Sequence, residues 1–162
     1  MAGEPRRLRA VFDCMVFLQG AARKDSPAGL CLRLVETGLV DLFLSDDVID
    51  EIRNVLERPR LRQKFRVLTN EFVDQFLAAL LARSSTVRAV PRVFAYERDP
   101  KDEPYINLAV AVHAEYLVSR DIDILDLGDT SNPEGRRFHE RFPQVRIVDP
   151  VTFIREVQQR GK

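Results

Sequence analysis

Strand-like and helix-like stretches alternate along almost the whole chain, and that alternation limits the fold more than any other feature. Short runs rich in Val, Leu, Ile and Phe (Leu8 to Phe12, Leu39 to Leu44, Tyr116 to Ser119, Val145 to Val148) are separated by segments whose apolar residues recur at helical spacing. Parallel strands need long crossovers, usually helical, and a parallel sheet must be covered on both faces. The expectation is therefore an α/β chain: a three-layer α/β/α arrangement around a central parallel sheet of about five strands. No repeat, low-complexity tract or linker interrupts it, so residues 1–162 read as a single domain.

Local signals mark the elements. Asp13 closes the first apolar run, and this run, followed by Cys14 to Leu18 and then Gly20, reads as a buried strand running out into a loop. Ser26-Pro27 pairs a capping hydroxyl with proline at the first helical position, and Gly38 follows the end of that pattern. Ser45 caps the next helix, Asp46 and Asp47 sit in its first turn, and Pro59 stops it. Thr69 caps a helix striped by Phe72, Val73, Phe76, Leu77, Leu80 and Leu81, a face that suits the core or a partner. Val87 to Val90 predicts a short strand, and Arg98 to Pro104 a turn leading into a helix with Ile106, Ala109, Val110 and His113. Ile124 to Leu127 reads as an apolar turn and Gly128 to Gly135 as the loosest loop. Pro150 opens a last helix.

Composition narrows the partners. The 25 basic and 25 acidic residues cancel, which excludes nucleic-acid binding by bulk charge alone and leaves local patches open. Hydrophobic residues make up 45% of the chain, enough for a packed core. Cys14 and Cys31 lie in apolar surroundings without a CxxC pair, so they read as buried free thiols. Met1 to Arg7 precedes no long apolar region; the expectation is no signal peptide, no membrane span and a cytoplasmic location.

In a parallel sheet the carboxyl ends of the strands and the starts of the following helices share one rim, where ligands bind. Asp13, Glu51, Asp102 and Asp121 fall at such places, and Asp123 follows two residues on. Each alone fits a helix cap or a solvated loop acid. Together they would repel unless a cation compensates, and hard divalent ions prefer such oxygen ligands. Between residues 98 and 129 eight acids face three bases, which makes this rim negative. Hydrolysis of a phosphodiester is the reaction such a site suits. Flanking bases would then meet the backbone: Arg58, Arg60, Arg62, Lys64 and Arg66 are the first choice, with Arg6, Arg7 and Arg9, or Arg136, Arg137 and Arg141, as alternatives. Each basic stretch equally suits a solvated surface. An aspartyl phosphatase would need an acid where Met15 stands, and neither GxGxxG nor GxxxxGK[ST] occurs.

Several pieces carry a family resemblance: Val11-Phe12-Asp13, Leu44-Ser45 with Asp50-Glu51-Ile52, Arg98-Asp99-Pro100-Lys101-Asp102 before Ala109, Leu117 to Leu125, and Val148-Asp149-Pro150 with Phe153-Ile154. In this order they resemble the PIN-domain family of metal-dependent ribonucleases, and most of all its toxin components of bacterial toxin–antitoxin pairs. The resemblance implies a PIN-like five-stranded parallel sheet between helices. It implies Mg²⁺ or Mn²⁺ held by Asp13, Glu51, Asp102 and Asp121, with Asp123 as a further ligand, and cleavage of RNA by a metal-activated water. It also implies an antitoxin protein or a second copy of the chain as partner. The chain departs from the family after Asp13, where Thr or Ser and then Asn are usual and Cys14 and Met15 stand here. Met15 accepts a hydrogen bond only weakly and donates none. The alternative is therefore a catalytically weak or inactive PIN-like module that binds RNA or protein.

Overall fold

A computed structural model describes residues 7–160. Arg6 and the expectations placed on the first six residues lie outside the described residues. Five strands pair in parallel in the order β3-β2-β1-β4-β5: β1 (Leu8–Phe12), β2 (Val40–Ser45), β3 (Ser84–Val87), β4 (Tyr116–Val118) and β5 (Arg146–Val148). β1 is central, with Ala10 opposite Leu42 on one side and Tyr116 on the other. From β1 the chain moves outward to β2 and β3, then returns across β1 to β4 and β5. The direction of winding thus reverses between β1 and β4, the kind of place where open α/β sheets bind ligands.

The connecting helices are α1 (Cys14–Ala22), α2 (Pro27–Glu36), α3 (Asp46–Leu56), α4 (Pro59–Lys64), α5 (Asn70–Ala82), α6 (Glu103–Ala111), α7 (Ile122–Leu127), α8 (Pro133–Arg141) and α9 (Pro150–Arg160). The helices cover the sheet: α1 packs on α2 and α3, α6 on β1, β2 and β4, and α7 on α8 and β5. α9 returns to pack on α2 and β4, where Phe153 meets Phe12 at 5.6 Å and Tyr116 at 5.1 Å. The three-layer α/β/α arrangement is as the sequence predicts.

Four local expectations need correction. Cys14 to Leu18 is helix, not loop: Asp13 caps it by accepting from the Val16 N–H at 3.1 Å. Its packing on α2 is close, since a Cβ at Gly20 would stand 2.5 Å from Leu32 Cδ1. The third strand is Ser84–Val87, not 87–90; it pairs with β2 from Leu42 to Ser45 and is a weakly apolar edge strand. The apolar turn at 124–127 belongs to α7, capped by Asp121. The loop expected through Gly135 ends early, because the Asn132 side chain accepts from Gly135 N at 2.7 Å and starts α8. α8 is polar along most of its length and is held by Phe138, which meets Phe94 edge-on at 5.3 Å.

The segment between β3 and α6 has no regular structure apart from a 3-10 turn over Pro100–Asp102, yet it is tightly pinned. Asn107 of α6 accepts from the N–H groups of Val93 and Phe94, both at 2.8 Å. One turn earlier, Glu103 accepts from Tyr96 N at 2.9 Å and Arg92 Nε at 2.7 Å. These buried polar side chains stand in for the ladder this segment lacks. They deliver Arg98, Asp99 and Asp102 to the carboxyl rim of the sheet.

Candidate metal centre

Asp13 sits just past β1 at the switch point and is buried. Its backbone N–H donates to Val118 O at 3.0 Å, and its Oδ2 accepts from the Ser119 hydroxyl just past β4. Ser119 Oγ in turn accepts from Asp121 N at 2.8 Å. One hydroxyl therefore ties the ends of β1 and β4 together and sets Asp13 beside Asp121. Burial pushes the Asp13 carboxyl up to about 6, against the pull of the Ser119 and Val16 hydrogen bonds and with a further push from Asp121.

Asp121 caps α7 by accepting from Asp123 N at 2.9 Å, so the two acids two residues apart share one turn. Asp99 caps the 3-10 turn by accepting from Lys101 N at 3.2 Å, and Asp102 closes that turn. The outcome is a group of four aspartates, Asp99, Asp102, Asp121 and Asp123, with carboxylate oxygens all within 4.8 Å of one another. Asp102 is buried, and its Oδ2 has no hydrogen-bond partner. Burial first, then the negative charges of Asp121, Asp99, Asp13 and Asp123, drive its carboxyl up to about 8. Arg98 closes the outer side: its Nε meets Asp123 at 2.8 Å and its Nη2 meets Asp126 at 2.7 Å.

The expected residues divide as follows. Asp102, Asp121 and Asp123 stand in the tight group, and Asp13 lies against it. Glu51, half-buried in the second turn of α3, is not one of the four; it faces the Cys14 thiol and the Tyr105 hydroxyl, which Asp13 also adjoins. Burial and then Glu51 push the Cys14 thiol up to about 12. The Tyr105 hydroxyl is buried without an ordinary hydrogen-bond partner, and burial raises its pKa well above the usual range. Asp99, Arg98 and Ser119 were not among the expected site residues. Asp99-Pro100 carries the signal for the first, a capping acid followed by proline at a turn start. Nothing local marks Ser119, whose role comes from the pairing of β4 with β1.

The basic candidates lie elsewhere. α3 starts at the rim and runs away from it for about 16 Å, so Arg58 and Arg60 stand at its far end. Arg62 is engaged with Leu56 O at 3.0 Å and with Asn70, and Lys64 lies over the Phe65 ring. Arg66 is exposed.

An all-carboxylate donor set with one buried oxygen lacking a partner fits a hard divalent cation and does not fit a soft one. The PIN domain family model matches residues 9–123, well over half of the chain, and spans Asp13, Glu51 and the four aspartates of the group. The chain belongs to the PIN domain family. No curated protein matches it significantly. PIN-domain membership together with the aspartate group supports nuclease-type function and divalent-metal use at the level of the family. Among the described residues of this PIN domain, no helix is long and apolar enough to cross a membrane.

Proposed function

We propose that this PIN domain is a metal-dependent endoribonuclease, the toxin half of a toxin–antitoxin pair. The observation that carries the reading is Asp102: a buried carboxylate oxygen without a hydrogen-bond partner, surrounded by four other acids. A buried charge among like charges is strongly unfavourable unless a cation answers it. Asp102, Asp121 and Asp99 would hold a Mg²⁺ or Mn²⁺ ion, with Asp13 and Asp123 beside it. Such an ion supplies a polarised phosphate oxygen and a water acidified enough to attack phosphorus.

The rest of the work falls to the chain itself. Ser119 holds the Asp13 carboxylate and the Asp121 backbone N–H, and Asp123 N holds the Asp121 carboxylate, so neither carboxylate has to find its orientation when the ion arrives. Glu51 lies on α3 beside the Cys14 thiol and Tyr105 hydroxyl that Asp13 also adjoins, and from there it would orient a water or a leaving hydroxyl. The exposed cations Lys101 and Arg120 flank the acids in sequence and suit a phosphate backbone passing over them. The basic stretch Arg58 to Arg66 is retained as a candidate contact for the more distant part of an RNA strand. The same reading takes residues 1–162 as one cytoplasmic domain with an antitoxin or a second copy as partner. It draws on the pairing of β5 with β4, which continues the sheet beyond the matched residues.

Cleavage of a single-stranded RNA in Mn²⁺, compared with metal-free buffer and with Glu51→Gln and Asp102→Asn variants, tests this. Activity that requires Mn²⁺ and is lost in both variants is expected; a wild type inert towards all RNAs while binding Mn²⁺ would leave the binding-module reading. One observation favours that second reading. Met15, where the family usually places Asn, is 37% exposed at the start of α1 and offers the site no donor. Met15→Asn is expected to raise the cleavage rate about 10-fold if only outer support is missing.

A further inference from the structure

We infer that the Arg98 guanidinium fills the place of a second cation, so that the centre takes one divalent ion per chain. The inference rests on the metal-centre reading above and adds its stoichiometry. Arg98 is held between two carboxylates of α7, with Asp123 Oδ1 at 2.8 Å and Asp126 Oδ2 at 2.7 Å. The frame around it is braced: the Tyr96 hydroxyl donates to Asp123 O at 2.7 Å, and Asn132 Nδ2 donates to Asp126 O at 2.7 Å. A guanidinium does not lose its proton in proteins, so this positive charge is permanent. It is also planar and forked, which suits it to span two carboxylates where a metal ion would otherwise bridge them.

The arrangement splits the acids by task. Asp99, Asp102 and Asp121 keep their outer oxygens for an ion, and Asp102 Oδ2 has no other partner. Asp123 has one oxygen committed to Arg98, so a second ion would have to share it beside a fixed positive charge. The remaining corner, between Asp13 and Glu51, is bordered by the Cys14 thiol and the Tyr105 hydroxyl, a poorer setting for a hard ion than carboxylates alone. Arg98 also joins the loop that carries Asp99 and Asp102 to the helix that carries Asp123. It therefore sets the spacing of the group as well as its charge.

The experiment is a titration of the full-length protein with Mn²⁺, followed by calorimetry and by the loss of the free-ion EPR signal. The wild type is expected to bind one Mn²⁺ per chain and Arg98→Gln two. Arg98→Lys keeps a cation in place and is expected to stay at one. Two ions bound by the wild type, or one ion bound by an Arg98→Gln variant with native circular dichroism, would overturn the inference. So would two ions in Arg98→Lys, which keeps the question open to test if Arg98→Gln does not fold. A wild type that binds no Mn²⁺ would instead strike the metal centre itself, and RNA cleavage without metal would strike the proposed function while leaving the count untouched.

Discussion

Two carboxylates in this molecule sit among charged neighbours and meet opposite fates. Glu156 on α9 accepts from both arms of Arg146, at 2.7 and 2.8 Å, and from the Tyr116 hydroxyl at 2.9 Å. The hydrogen bond from Arg146 holds its carboxyl below the usual range. Asp102, at the carboxyl rim, has an oxygen with no partner and a carboxyl pushed up to about 8 by burial and by like charges. The first is satisfied by the protein and fastens α9 to the sheet. The second is left unsatisfied by the protein, and only something from outside can complete it. Glu156 is matched by a base, whereas Asp102 has none of its own at the switch point of a parallel sheet, which is what makes the rim the candidate binding site.

The largest test of that contrast is Asp102→Asn. Removing the buried charge should weaken Mn²⁺ binding at least about 100-fold, yet raise the melting temperature of the metal-free protein by several degrees. A thermal-shift series with and without Mn²⁺ reads both. If the variant melts lower in metal-free buffer, Asp102 is a structural acid like Glu156 and the contrast fails.

The next effect is on the pH profile of the metal-free protein. Asp13 rises from 3.8 to about 6, and Asp102 from 3.8 to about 8. A carboxyl whose folded pKa is raised binds its proton more tightly when folded, so it favours the folded state below the unfolded pKa and loses that contribution as pH climbs to the folded one. For Asp13 alone the change is about 3 kcal/mol. Stability of the metal-free protein should therefore fall between pH 4 and pH 8, opposite to the acid-side loss that Glu156 and other paired carboxylates cause. Denaturant midpoints measured across that window check it. Saturating Mn²⁺ should flatten the slope, because the ion takes the place of the proton.

Glu156→Gln sharpens the comparison from the other side. Losing a charge-assisted pair should cost about 1.5–3 kcal/mol of stability and leave Mn²⁺ affinity unchanged. A drop in affinity would mean that α9 shapes the rim and that the two regions are not independent.

What the sequence revealed, and what it hid, follows the same division. The parallel sheet and its layering were readable because apolar runs and caps such as Ser45 and Thr69 are local signals; the strand order was not read. Asp13, Asp102, Asp121 and Asp123 were readable because each ends a strand or starts a helix, and topology carries such places to one rim. Helix α1 was read as a loop because a run as short as Cys14 to Leu18, followed by Gly20, shows no clear helical period; the Asp13 cap decides it. α8 was missed because its polar sequence shows almost no apolar stripe, and its anchor is a distant partner, Phe94. Arg98 was read as part of a turn and as one base among many acids, with no partner assigned to it. Its pairing with Asp123 and Asp126 depends on a loop that Glu103 and Asn107 pin in place, and no local pattern announces that.

The smallest test lies between the two regions, where α6 leaves the rim side and turns into β4. His113 has φ of 53°, in the left-handed region that favours glycine. It occupies the position just past the helix end: His113 N donates to Val110 O at 3.2 Å and Ala114 N to Ala109 O at 2.9 Å, the paired bonds of a Schellman turn. The side chain is exposed, so its replacement costs no packing. His113→Gly should relieve the backbone strain and stabilise the protein by about 0.5–1 kcal/mol, or roughly 2 °C in melting temperature. Because the change acts on the turn and not on the acids, the gain should be the same with and without Mn²⁺. A gain that disappears in Mn²⁺ would show that the α6 turn and the rim move together, and that the division drawn between the satisfied and the unsatisfied acids runs through a shared element.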